Sequence, residues 1–555
     1  MRVYFAAAVC TWGLLSTASG PAQAAEITDL ASSFEKGKPF GFRLGAKYQF
    51  DYKTASITRE SLPYLQSAQT RRDLAAHYGV SDLTRTEIVP DLLFTQRRQS
   101  LSLDLAIGLF RELQLAINVP LILRDERQFN LDQNAGWNTC PTGDWSCVAN
   151  SSSTFLDGIY PIQPADQLDS GSLIFRPPVR GGSGANLLDT INISLMGAPI
   201  SQRRDPTKPT WVIGVEGQIS VGTIMQYDNS RLYLDPGQPS QKTLIDEAGR
   251  AATDKQGWQG VSEGLHRIIV RTALSHRFKY VDPYLGLWYM LPIERKDNGS
   301  PWKPDYGFQQ KRGAPQQKAG VTFGFEATPL ENKAKGHRLA IDLRGGLQFA
   351  FLGRGYSEAW ELFAASNALI CDDQTALPPP FTYKDPLASS GANGAVTQGT
   401  FNPACRAPVN PPPQDTSPPS PYQGPRLTNA SAYYRQPYTG LTLIENYLTF
   451  NAQFSLVAEL FRHVRLRLSF NYQRDQGHVV TQDDAGTKDY PADVGSRDTL
   501  NGKAAGFGCN PFRVDLSCPV DWNPAYRAVI NQPGRRYRVD DVNTLSGSAT
   551  LQAYW

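Results

Sequence analysis

The sequence predicts an all-β chain: a single closed antiparallel transmembrane β-barrel of about 12 strands, joined by short turns on one side and long loops on the other. Two observations carry this. Apolar and polar residues alternate over runs of about ten positions, and the links between runs are short and long by turns. The first run is the clearest: Phe40, Phe42, Leu44, Ala46, Tyr48 and Phe50 alternate with Gly41, Arg43, Gly45, Lys47, Gln49 and Asp51. Successive strand side chains point to opposite faces, so one face is apolar and the other carries charge and glycine. A soluble sandwich would bury the apolar face; a membrane barrel turns it to lipid.

Composition bounds the choice. Of 555 residues 41% are hydrophobic, and beyond the N-terminus no apolar run of 18 or more residues can span a bilayer as a helix. A barrel shows lipid only every second strand residue, so a polar average is compatible with a membrane. A net charge of +3 argues against a nucleic-acid partner. The N-terminus has the form of an export leader: Arg2, an apolar core from Val3 to Leu15, and an Ala22-Gln23-Ala24 cleavage motif. A signal peptide over 1–24 is expected, with the mature chain beginning at Ala25.

Twelve alternating runs lie near 40–51, 95–110, 113–124, 188–200, 210–222, 265–279, 282–293, 318–329, 338–351, 442–459, 463–474 and 538–555. Runs two and three are joined by Arg111-Glu112 alone. The long links are 52–94, 125–187, 223–264, 294–317, 352–441 and 475–537. A Greek-key sandwich has no reason to sort its connections this way.

Apart from Cys10 the cysteines fall in three sequential pairs, each within one long link: Cys140 with Cys147, Cys371 with Cys405, and Cys509 with Cys518. Six cysteines allow fifteen connectivities. Local disulfides are the simplest assignment and fit an oxidising compartment. No C-x2-C spacing and no nearby histidine favours a metal, so no metal and no cofactor is expected.

With these features the chain resembles a Gram-negative outer-membrane β-barrel. In that family the last strand ends in an aromatic residue read by the assembly machinery; here Leu545, Ala549, Leu551, Ala553 and Trp555 share one face, with Ala553 where a second aromatic is usual. The hairpin from Asp104 to Pro120 is similar to the transporter-like barrels grouped with phenol-degradation pathways. The resemblance implies the cell outer membrane, a periplasmic N-terminal segment over 25–39, periplasmic turns and extracellular loops, with lipid and the assembly machinery as partners.

Parity then gives the wetted face. Its cations are Arg43, Lys47, Arg98, Arg124, Arg267, Arg271, Arg277, Arg338, Arg344, Arg465 and Arg467; its anions are Asp51, Asp104, Glu216, Glu326, Asp342 and Glu445. The excess of positive charge predicts a channel or transporter passing small solutes, with Arg271, Arg344, Arg465 and Arg467 as selectivity candidates. Two alternatives stay open. Arg338, Asp342 and Arg344 could pair with Glu326 and Glu445 and lock the wall, or the protein could be a non-conducting surface protein whose disulfide-bearing loops bind a partner or polymer. Within 352–441, rich in proline, Glu358 to Ile370 is expected to form a helix packed on the surface rather than a plug. Tyr48, Phe50, Phe110, Trp211, Tyr284, Phe351, Phe470, Tyr472 and Trp555 fit interfacial aromatic belts.

Enzyme chemistry is not expected. Ser275 and His276 are adjacent on a strand and face opposite ways, Asp483-Asp484 suits a solvated turn, and no G-x-S-x-G or H-E-x-x-H motif occurs.

Overall fold

A ribbon with one greasy face and two unpaired edges cannot sit in hydrocarbon until its edges meet. The computed structural model describes residues 25–31, 41–61, 87–132, 187–227, 258–295, 313–332, 336–364, 440–460, 463–481 and 536–554, with a few shorter stretches between. Its barrel strands are β1 (Phe42–Ser61), β2 (Glu87–Phe110), β3 (Leu113–Leu131), β4 (Thr190–Ile200), β5 (Thr210–Ser220) and β6 (Leu265–Ser275). They continue as β7 (Val281–Glu294), β8 (Lys318–Asn332), β9 (His337–Ala350), β10 (Tyr447–Leu460), β11 (Val464–Asp475) and β12 (Tyr537–Tyr554). Each pairs antiparallel with its neighbour in the chain, and β12 pairs with β1 from Arg43↔Tyr554 to Arg59↔Tyr537. The barrel is closed.

The outward face is apolar from strand to strand. Leu287 is 52% exposed, Phe470 54% and Leu551 55%, and Leu44, Val215, Val270 and Phe323 are also exposed. A sandwich would hide these side chains. In a barrel they meet lipid.

All twelve expected runs lie on strands, but several ends move. β1 continues to Ser61 and β2 begins at Glu87, because there the pattern inverts: Ala55, Ile57, Leu92 and Phe94 are buried inside the barrel. Apolar residues turned inward give no lipid-facing signal. β6 stops at Ser275, leaving Arg277 in the turn, where it pairs with Glu331 at 3.0 Å. The run at 442–459 divides: Thr442–Ile444 pairs with Gly353–Gly355 and with His478–Thr481, and β10 starts only at Tyr447. Glu445, expected in the lumen, is corrected. It is exposed in that break, where its carboxylate accepts the Val479 N–H at 3.3 Å.

A bulge corrects Arg124 as well. Gln99 pairs with Arg124 but Ser100 pairs with Ile122, so Leu123 is an extra residue and the faces exchange beyond it. Ile122 and Asp125 both point inward, while the Arg124 side chain is 55% exposed beside Glu126. Parity counted through a bulge gives the wrong face. At the other end of this hairpin Arg111 takes the left-handed conformation, φ +49°, that the two-residue turn requires.

Two short elements lie inside the barrel. A 3-10 turn, Glu26–Thr28, sits at the end carrying the short connections. Helix α1 (Trp360–Ala364) sits at the opposite end, buried against Ile57, Phe94, Phe129, Tyr537 and Val539. The described part of the segment expected as a surface helix, residues 358–364, therefore fills the interior instead, because the inverted strand ends offer it an apolar lining; 365–370 lie outside the described residues.

Candidate functional site: the barrel lumen

Parity between lipid-facing residues places most predicted candidates on the inner wall. Arg43, Lys47, Asp104, Glu216 and Arg271 line a cavity of ≈ 680 Å³ together with Asn118, Asn192, Asn451, Ser469, Asn471, Ser546 and Ser548. Arg267 lines a second cavity of ≈ 890 Å³ that also touches Glu263, Lys318, Glu358 and Asp475; Arg43, Arg271 and Arg344 border both. Arg98 faces Asp125 across the β2–β3 ladder. Asp104 accepts a hydrogen bond from Asn118, and Glu216 pairs with Arg271 across β5 and β6.

The remaining candidates form a chain of ion pairs at the turn end. Arg338 joins Glu326 and, at 3.2 Å, Glu459; Arg465 takes the same Glu459 at 2.6 Å. Arg467 holds Asp342, and Arg344 reaches Asp342 at 3.1 Å. The Tyr284 hydroxyl donates to Asp342 at 2.6 Å and accepts from Arg344 Nε at 3.1 Å. Tyr284, expected in an aromatic belt, is corrected: it points inward and is buried, because on β7 the even positions Asp282 and Tyr284 share the inner face. Glu326, Asp342, Arg338, Arg465 and Arg467 are almost completely buried. Charges so enclosed need partners that complete their hydrogen bonds, and here they have them.

The last partner comes from an unexpected place. Residues 25–31, expected in the periplasm, enter the lumen and complete the chain of charges. Glu26 accepts from Arg344 and Arg467, both at 2.8 Å. Asp29 meets Arg465 at 2.9 Å and Arg43 at 3.6 Å. The Ala31 N–H donates to the buried Gln114 at 2.6 Å. Enclosure by the wall pushes both carboxyls up, but the guanidinium groups outweigh it: Arg467 and Arg344 hold Glu26 down to about 2, and Arg465 and Arg43 lower Asp29. Charges complementary to Arg344, Arg465 and Arg467 stand at Glu26 and Asp29 in the sequence, but nothing local says that the segment folds back.

At the loop end α1 brings Glu361 against Arg180 at 2.5 Å and Arg127 at 3.5 Å, all three deep in the barrel. Lys53 reaches Glu358 at 2.5 Å just before the helix. Gly440 adopts φ +76° against α1, where a Cβ would come within 2.7 Å of the Trp360 carbonyl and of Ala364.

Several expectations fall outside the described residues. The signal peptide over 1–24 and Trp555 are among them. So are all three expected disulfides, since Cys140, Cys147, Cys371, Cys405, Cys509 and Cys518 lie in the long links beyond the described strand ends. Among the described residues, no three of His, Cys, Asp and Glu are grouped as a metal ion would need.

An apolar exterior, a wetted interior and a closed hydrogen-bond ring have one solvent in common. The chain is a closed, twelve-stranded transmembrane β-barrel. No family model matches the sequence, and no curated protein does. Among solved structures it is similar to an outer membrane channel from Pseudomonas putida F1, at 7% identity and TM-score 0.26, covering 92% of this chain and 96% of that one. A FadL homologue from Pseudomonas aeruginosa matches at 8% identity and TM-score 0.25 over 97% and 92%. The monoaromatic hydrocarbon channel CymD matches at 6% and 0.23 over 93% and 88%. Likeness at this level carries no argument about what passes through.

Proposed function

We propose that the barrel is a channel for small polar solutes with a weak preference for anions. The observation that supports this reading is the wall of the ≈ 680 Å³ cavity, where Ser469, Ser546, Ser548, Asn451 and Asn471 present short neutral polar side chains on adjacent strands. Such a surface suits water and passing solute better than packed protein. Around the two cavities stand nine cations (Arg43, Lys47, Lys53, Arg267, Arg271, Lys318, Arg344, Arg354, Arg467) and seven anions (Glu26, Asp29, Asp104, Glu216, Glu263, Glu358, Asp475). Two of those anions belong to the N-terminal segment, so its withdrawal would sharpen the positive excess. Lys47 makes no ion pair among the described residues and is the strongest selectivity candidate, with the half-exposed Arg271 next.

Planar-bilayer recording in a salt gradient tests the proposal. The expected result is a small conductance with a reversal potential on the anion side, moved toward cations by Lys47→Glu. Correctly folded protein that passes no current would overturn it. That outcome, combined with binding that depends on the cysteine-bearing loops, would favour the second reading, a surface protein; α1 seated in the loop end is the observation on its side.

A further inference from the structure

We propose that Asp282 is the receptor for the α-ammonium group that leader removal creates at Ala25, so that processing itself locks the N-terminal segment into the lumen. Two independent lines meet at this residue. The Ala22-Gln23-Ala24 motif sets the cleavage immediately before Ala25. In the fold, Ala25 is completely buried, and its nitrogen donates to Asp282 Oδ2 at 2.6 Å.

The surroundings hold this nitrogen in place. The Ala25 carbonyl accepts from the Thr28 N–H at 2.8 Å and from the Thr28 hydroxyl at 3.2 Å. That hydroxyl in turn lies 2.6 Å from Ser275 Oγ on β6. The acceptor is suited to a cation. Asp282 is 2% exposed, and its Oδ1 is buried with no hydrogen-bond partner among the described residues. Its partner across the β7–β8 ladder is a second carboxylate, Glu326, whose Arg338 is shared with Glu459. The nearby Arg277 is engaged with Glu331. Like charges directly opposite one another on a sheet are unfavourable, and a buried carboxylate beside another needs a positive partner.

Hydrolysis of the Ala24–Ala25 bond by a leader peptidase consumes one water. Hydroxide goes to the Ala24 carbonyl carbon and a proton to the Ala25 nitrogen, which takes a second proton at neutral pH, since an α-amine titrates near about 8. An amide offers one N–H and no charge; the ammonium offers three N–H donors and a full charge. It can therefore serve both Asp282 oxygens and offset the Asp282–Glu326 repulsion. An uncleaved chain can do neither.

The test uses the full chain, expressed with its leader and purified from membranes in detergent. N-terminal sequencing should begin at Ala25. An amine-selective reagent at neutral pH should label that terminus at least about tenfold more slowly in the folded protein than in the denatured one, because a buried group reacts only through opening. Asp282→Asn should remove the protection. So should insertion of Gly-Ser between Ala24 and Ala25, which moves the ammonium two residues from its receptor and decides the matter if Asp282→Asn does not fold. Protection unchanged in the insertion variant, or a mature terminus at another residue, would overturn the proposal. No current is read, so the result stands apart from the channel reading.

Discussion

Arg467 divides one guanidinium between two carboxylates: Nη1 lies 2.8 Å from Glu26 on the inserted N-terminal segment, and Nη2 holds Asp342 on the wall. The two contacts are unequal. Asp342 is 1% exposed, whereas the Glu26 side chain is 39% exposed to the lumen.

Removing the arginine takes one cation from the buried Asp342 and leaves it Arg344 at 3.1 Å and the Tyr284 hydroxyl, while removing Glu26 leaves Arg467 still paired. Arg467→Ala should cost about 1–3 kcal/mol. Glu26→Gln should cost no more than about 1 kcal/mol. Thermal unfolding in detergent, followed by the gel shift of the heat-denatured barrel, checks the ratio; equal losses would contradict this division of roles.

The same segment should respond to acid. Glu26 is held at about 2 against an ordinary 4.5, and Asp29 is lowered in the same direction. A depressed carboxyl contributes stability that is complete above its ordinary value and is lost as pH falls through the depressed one. Docking of residues 25–31 should therefore be intact at pH 5 and weaken from about 4.5 toward about 2. Protease nicking near Ala31, compared with cleavage at the barrel loops, would report it. An N-terminus equally protected at both ends of this range would count against the assignment.

At the loop end, the Arg180 guanidinium lies 4.6 Å above the Trp360 ring, and Trp360 is fully buried. Trp360→Ala should cost about 3–5 kcal/mol through the cavity it leaves. Gly440→Ala should also destabilise, because a side chain there meets Trp360 and Ala364 in a left-handed backbone. Melting curves for the two variants should fall in that order. A Trp360→Ala protein that melts with wild type would mean that α1 does not hold the loop end together.

Adjacent residues on β11 separate the two faces. Leu468 is 48% exposed on the outside, and Ser469 lines the smaller cavity. Leu468→Arg should cost about 2–4 kcal/mol if it meets hydrocarbon near the midplane. Ser469→Arg should leave stability nearly unchanged. Refolding yield into lipid vesicles, titrated with urea, distinguishes them; the reverse order would place lipid on the wrong side of the wall.

Much of this molecule follows from alternation alone. The twelve strands, the tight Arg111-Glu112 hairpin, the outward Leu44 and Phe470, and the inward Arg43, Arg271 and Arg467 are set by a period of two, because a strand offers only two faces. Alternation fails where its assumptions fail. The bulge at Leu123 exchanges faces and turns Arg124 out; the strand ends around Ile57 and Phe94 invert polarity; the break at Glu445 interrupts a run that looks continuous.

Local pattern is thus enough for the barrel, its strand count and the wall on which charge is displayed, since lipid and water act on each residue where it stands. What occupies the interior is settled only by the closed ring. Glu26 meets Arg467 across 441 positions of chain and Asp282 meets Ala25 across 257. Such pairings depend on where closure brings distant strands together, and no short stretch of sequence encodes that distance.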